Sequence, residues 1–184
     1  MKHSADRYTR QDLPAESRNQ AVRVWAVTFA VAAVWVLLIV VPPVLASAGN
    51  AETAEPLYRF FSYICHQMPG RTFHLLEHPM AACSRCFGVY FGLALGAAIY
   101  PLWRNVSDIE PLPRKWLLLS IVPMGIDWAL NAFDIWYNTF LSRFVTGLIL
   151  GLACATYILP ALVEIFRNFS STPDPHTASG PNNR

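Results

Sequence analysis

Four apolar runs, at about 22–41, 86–103, 116–133 and 144–166, are separated by polar stretches. Each has roughly the 17–25 residues that a helix needs to cross a hydrocarbon core about 30 Å thick. A chain of this length cannot bury four such helices inside a water-facing shell. The pattern therefore predicts an all-α membrane protein built as a four-transmembrane-helix bundle. Between the first two runs, Leu57, Phe60, Phe61, Ile64, Cys65 and Met68 recur at helical spacing, while Arg59, Ser62 and His66 fall on another side. That spacing predicts a short amphipathic interfacial helix in the first loop, with Cys65 on its apolar side.

The pattern fades at both ends. Residues 1–20 are polar and Arg-rich, and 169–184 are rich in Ser, Thr, Pro, Gly and Asn. Both read as disordered tails flanking a membrane domain over 21–168. The first span is expected to stop at Pro42-Pro43. Ala46-Ser47-Ala48 resembles a signal-cleavage site, but the apolar stretch before it exceeds the roughly 7–15 residues of a signal core.

Composition agrees with lipid as part of the solvent. Hydrophobic residues make up 54% of the chain and charged residues 14%, against about 25% charged in soluble domains. The net charge of +2, with no dense basic cluster, argues against a nucleic-acid partner and leaves the lipid bilayer as the expected one. Lys2, Arg7, Arg10, Arg18 and Arg23 precede the first run, Arg104, Arg114 and Lys115 lie between the second and third, and Arg167 follows the fourth. By the positive-inside rule the protein sits in the cell membrane as a multi-pass protein with both termini cytoplasmic. The long first loop and the short third loop are then extracytoplasmic.

Glycines recur every fourth residue at Gly88, Gly92 and Gly96, and again at Gly147 and Gly151. Such rows let helix backbones approach closely, either within the bundle or at the seam of a homodimer or larger membrane complex.

The first loop carries the candidate chemistry. Cys83 and Cys86 lie three apart at the start of the second run, where the helix dipole and Arg85 favour thiolates. Cys65 adds a third sulfur, and His66, His74 and His78 are candidate fourth ligands. Three sulfurs and an imidazole suit tetrahedral zinc, which makes Cys65, His66, Cys83 and Cys86 a candidate metal set. A structural disulfide and a redox-active Cys83/Cys86 pair are the competing readings. Phe87 after Cys86 argues against covalent haem attachment. Cys154, inside the fourth run, reads as packing.

Asp127 falls inside the third run, where an acid is costly unless paired or hydrated. Arg143 opens the fourth run on the same side, so an Asp127–Arg143 pair aided by Asn131 is expected. Connectivity places Cys65, Cys83, Cys86, Arg85, Asp127 and Arg143 on one side of the membrane, which makes Asp127, Arg143 and Arg85 candidate functional groups beside the sulfurs.

The run Cys65-His66-Gln67, Pro69, Arg71-Thr72-Phe73 and Cys83-Ser84-Arg85-Cys86, followed by Gly88 and Tyr90-Phe91-Gly92, resembles the signature of a prokaryotic membrane family catalogued as domain of unknown function 2085. Asp127, and Arg143 with Thr146-Gly147, resemble its later elements. The resemblance implies an integral membrane protein and no established activity. Three functions are compatible with these residues: a metal-binding membrane protein, a quinone-linked thiol-disulfide oxidoreductase, and a non-enzymatic accessory or assembly subunit of a membrane complex.

Overall fold

The computed structural model describes residues 15–108, 110 and 112–170. Its elements are five α-helices, α1 (Ala15–Ser47), α2 (Ala51–Ser62), α3 (Ser84–Trp103), α4 (Lys115–Ala132) and α5 (Phe140–Ser170), with a short 3-10 turn (Pro69–Arg71) and a two-stranded hairpin between α2 and α3. The hairpin strands are β1 (His74–Leu75) and β2 (His78–Pro79), which are antiparallel with Leu75 opposite His78. Leu76 and Glu77 both take positive φ at its tip, the geometry of a tight turn that matches strand twist.

Three of these helices are long and apolar enough to cross a membrane: α1, α3 and α5. The fourth expected span is a helix, α4, but it falls short of that standard. Lys115, Asp127 and Asn131 all lie within its 18 residues, and each replaces a residue that would favour lipid.

The close packing runs between α3 and α5. Gly88 faces the backbone of Phe144, Gly92 that of Leu148 and Gly151, and Gly96 faces Ala155. Contacts that advance together along both helices make the two parallel. A methyl group on Gly88, Gly92, Gly147 or Gly151 would collide with backbone atoms across this seam. All five glycines of the two rows are buried in it, so within the chain the two rows face each other.

The other helices run against this pair. Trp25 of α1 donates to the Ala97 carbonyl at 2.8 Å, and Gln20 donates to the Phe166 carbonyl at 3.0 Å. The start of α1 therefore meets the ends of α3 and α5. Those contacts, with Ala21 only 1% exposed, give the first turns of α1 something to pack on. The helix accordingly begins at Ala15, inside the stretch expected as tail. The rest of that tail, 1–14, and the expected C-terminal tail from 171 onward lie outside the described residues. At the other end of the bundle, α4 brings Asp127 to Arg85 at the start of α3. Tyr157, late in α5, donates to the Pro113 carbonyl just before α4. So α4 is antiparallel to α3 and α5.

Two boundaries differ from expectation. Helix α1 does not stop at Pro42-Pro43 but runs on to Ser47. A proline inside a helix frees the carbonyl four residues before it, and for Pro43 that is the carbonyl of Ile39. The Ala81 N–H takes it at 3.2 Å, so the interruption in α1 becomes the docking point of the loop that leads to Cys83. Ile39, Ala81 and Ala82 are each fully buried there. The amphipathic helix, expected to carry Cys65, ends at Ser62. Cys65 lies in the turn beyond, whose Gln67 takes a positive φ of 45°.

Candidate thiol cluster and arginine cavity

Residues Cys83-Ser84-Arg85-Cys86 occupy the cap and first turn of α3, and a helix start sends such neighbours in different directions. Cys83 and Cys86, three apart, share the face toward Cys65. Ser84 is fully buried and donates to the Arg71 carbonyl at 3.0 Å. Arg85 reaches across to α4 and pairs with Asp127. One four-residue motif thus fixes a sulfur pair, anchors the loop and ties α3 to α4.

The Sγ atoms of Cys65, Cys83 and Cys86 all lie within 4.8 Å of one another, and all three are free thiols. Cys65 is held from two sides. Gln67 donates through Nε2 to the carbonyls of Tyr58 and Ala81, both at 2.8 Å, which clips the end of α2 to the loop before α3. The Cys83 N–H donates to the Cys65 sulfur at 3.2 Å. Hydrogen bonds from the thiols of Cys83 and Cys86, joined by the backbone N–H groups of Cys83 and Gln67, hold the Cys65 thiol far below the ordinary thiol range although burial opposes this. Neighbours that donate to a sulfur favour the thiolate, the form that binds metals.

His66 does not join the three sulfurs. Its side chain is exposed, as is that of His74, and His78 is half-buried on the hairpin. Among the described residues the metal-competent group is Cys65, Cys83 and Cys86 alone. Adjacency to Cys65 in sequence therefore does not become adjacency to the three sulfurs in space.

The acid of α4 also has a different partner from the expected one. Asp127 pairs with Arg85, not Arg143. Asn138 adds a second donor through Nδ2, at 2.7 Å to Asp127 Oδ2 and 2.8 Å to its backbone carbonyl. Asn131 acts one step removed, its Oδ1 accepting the Asn138 N–H at 3.5 Å. Arg143 faces a cavity of about 210 Å³ whose walls also include Arg71, Arg85, Cys83, Cys86 and Asn138. Of the six residues expected on one side, Cys83, Cys86, Arg85 and Arg143 line this cavity, while Cys65 meets it through the other two sulfurs and Asp127 through Arg85.

Gln67 and Asn138 were not among the candidates. Gln67 stands inside the Cys65-His66-Gln67 signature, which was a signal without an assigned role. Asn138 lies in a short polar loop, where nothing in the sequence separates it from solvated neighbours.

The family described as "Predicted membrane protein (DUF2085)" matches residues 65–157, half of the chain, beginning at Cys65 and containing every residue of the thiol cluster and the Asp127–Arg85 pair. An uncharacterized protein of Methanocaldococcus jannaschii is 40% identical over 115 residues, which cover 61% of this chain and 73% of the relative. The chain belongs to this family. No solved structure matches it. As a member of the DUF2085 family it is a membrane protein, and the matched region includes the apolar helix α3 and most of α5, while α1 and α2 precede it.

Proposed function

We propose that this DUF2085 protein is a zinc-binding membrane protein with four spans, whose metal is held by Cys65, Cys83 and Cys86 at the extracytoplasmic face. The observation that carries the reading is the convergence of three free thiols, from two separate segments, within 4.8 Å. Tetrahedral zinc with Zn–S bonds of about 2.3 Å needs sulfurs about 3.8 Å apart, a spacing within reach of this cluster. A three-residue set leaves one coordination position open, the arrangement of catalytic and ligand-exchanging zinc sites rather than of closed structural ones. When bound, such an ion polarises an oxygen ligand or lowers the pKa of a bound water. The protein's own contribution is to hold Cys65 with backbone donors, to aim the Cys83/Cys86 pair from the α3 start, and to keep Arg85 fixed through Asp127.

Parallel packing of α3 and α5 supports the fourth span. Two parallel helices that both cross a membrane require the chain between them to cross back. Helix α4 is antiparallel to both, and its 18 residues reach about 27 Å at 1.5 Å per residue. Asp127 and Lys115 lie near opposite ends of it, where an ion pair and interfacial water lower their cost. Basic residues at the α1 start and in the α3–α4 loop put that side in the cytoplasm, and the thiols on the other.

The test is native mass spectrometry with elemental analysis of the full chain purified in mild detergent. One zinc per chain is expected, and Cys65→Ser should lose it while the helical signal stays. Absence of stoichiometric metal with all thiols reduced and intact would remove the reading. A stable Cys65–Cys86 disulfide in its place would turn the site toward thiol–disulfide chemistry. The distance to Cys154 limits that chemistry: it lies at the level of Gly96, ten residues past Cys86 and so about 15 Å along the helix, too far to act as a relay sulfur.

A further inference from the structure

We infer that the cavity beside the thiols is a binding site for a phosphate-class oxyanion. The inference goes beyond the metal reading and stands on different residues. Three guanidinium groups, Arg71, Arg85 and Arg143, line a space of about 210 Å³. Among the described residues one carboxylate stands against them, Asp127, and it is already engaged by Arg85 and Asn138. Among the described residues no carboxylate pairs with Arg71 or Arg143. Three cations facing one carboxylate leave an excess of positive charge that the Cys83 and Cys86 sulfurs in the wall offset only in part, and an entering anion balances the rest.

The backbone adds to this charge. Helices α3 and α5 are parallel and start side by side, so both positive dipole ends meet at the cavity. Neither carries an acidic residue in its first turn, and the α3 start has no side-chain cap. A helix start with free N–H groups favours anions.

Chemistry selects phosphate over carboxylate. A carboxylate is matched by a single Arg fork, which would leave two guanidiniums here uncompensated. A tetrahedral dianion offers three or more oxygens to donors arriving from three segments, the first loop, α3 and α5. Cys83 and Cys86 form part of the same wall, so an anion seated here lies next to the thiol cluster. Free phosphate and a phosphate-bearing lipid headgroup present the same chemistry to these groups.

The experiment uses the full chain in uncharged detergent. Thermal unfolding is followed during titration with inorganic phosphate, against sodium chloride of equal ionic strength. Native mass spectrometry then compares retention of added phosphatidic acid with that of phosphatidylcholine. A saturable rise in Tm with phosphate alone assigns a soluble anion, and selective retention of phosphatidic acid assigns a headgroup. Arg143→Gln should weaken either binding by about tenfold or more, with Arg143→Lys recovering part of it. Arg71→Gln, on the exposed loop, provides the same test if Arg143→Gln fails to fold. Binding should persist in Cys65→Ser, and zinc should persist in Arg71→Gln, so failure of one site does not mimic failure of the other. No phosphate-specific rise together with no lipid preference, or equal binding by the arginine variants, would overturn the inference.

Discussion

Asp127→Asn isolates the charge that binds α4 to α3. The substitution keeps the shape and still offers an oxygen to Asn138 Nδ2, which lies 2.7 Å away, so the main loss is the ion pair with Arg85. At an effective dielectric of about 20, two opposite charges in contact attract by about 4–5 kcal/mol. Desolvation offsets much of this while the pair is intact, but removal of one member leaves the other's cost unopposed, typically about 3–5 kcal/mol. Arg85 and Asp127 are 23% and 10% exposed, so water reaches the stranded guanidinium and the lower end applies, about 3 kcal/mol. Repulsion from Arg71 and Arg143 acts in the same direction. Reversible unfolding in mild detergent, with Asp127→Asn, Arg85→Gln and the double variant, reads this as a coupling of about 2 kcal/mol. Asp127→Asn and Arg143→Gln should couple with the opposite sense, because loss of Arg143 relieves repulsion on the stranded Arg85. If Asp127→Asn costs under about 1 kcal/mol and adds to Arg85→Gln without coupling, Arg85 is not the partner that holds Asp127.

Other predictions follow from the packing and the topology. Gly151→Ala places a methyl group against the Val89 carbonyl and 2.9 Å from the Leu93 nitrogen, so it should destabilise the α3–α5 seam by about 1–3 kcal/mol. Gly125→Ala, in α4 with nothing within 4 Å, should have the opposite sign and gain up to about 1 kcal/mol from helix propensity. Both are read as shifts in unfolding midpoint. Pro43→Ala supplies an N–H that competes for the Ile39 carbonyl, so the Ala81 amide should exchange hydrogen faster while the body of α1 does not. For topology, a cysteine placed at Tyr63, which is 84% exposed, should react with an impermeant maleimide on intact cells, and one at Ser107 only after permeabilisation. The reverse labelling pattern would invert the assigned faces.

Much of the architecture is visible in the sequence because the membrane enforces it. Long apolar runs can only be helices in lipid, and the residues at 86–103 and 144–166 lie within α3 and α5. Glycine rows predicted close approach, but periodicity cannot say which backbone approaches, and the structure spends both rows on one another. The Cys65, Cys83 and Cys86 grouping was readable from residue type and loop connectivity. Its details were not. His66 is a candidate only because it follows Cys65 in the chain, and successive side chains there part, with Cys65 buried and His66 exposed. Arg143 appeared to be the partner of Asp127 because a short loop joins α4 to α5, yet Arg85 reaches Asp127 from a helix 42 residues away. Long-range partners of this kind leave no periodic trace. Pro42-Pro43 predicts a stop by sequence, whereas its consequence in the fold is a free carbonyl that another segment uses.

X-ray absorption at the zinc edge of the purified protein tests the central assignment most directly. Three sulfurs at about 2.3 Å and one lighter atom at about 2.0 Å are the predicted shell, with Cys86→Ser lowering the sulfur count. A shell of nitrogen and oxygen only, or one unaffected by Cys86→Ser, would show that these thiols do not form the site.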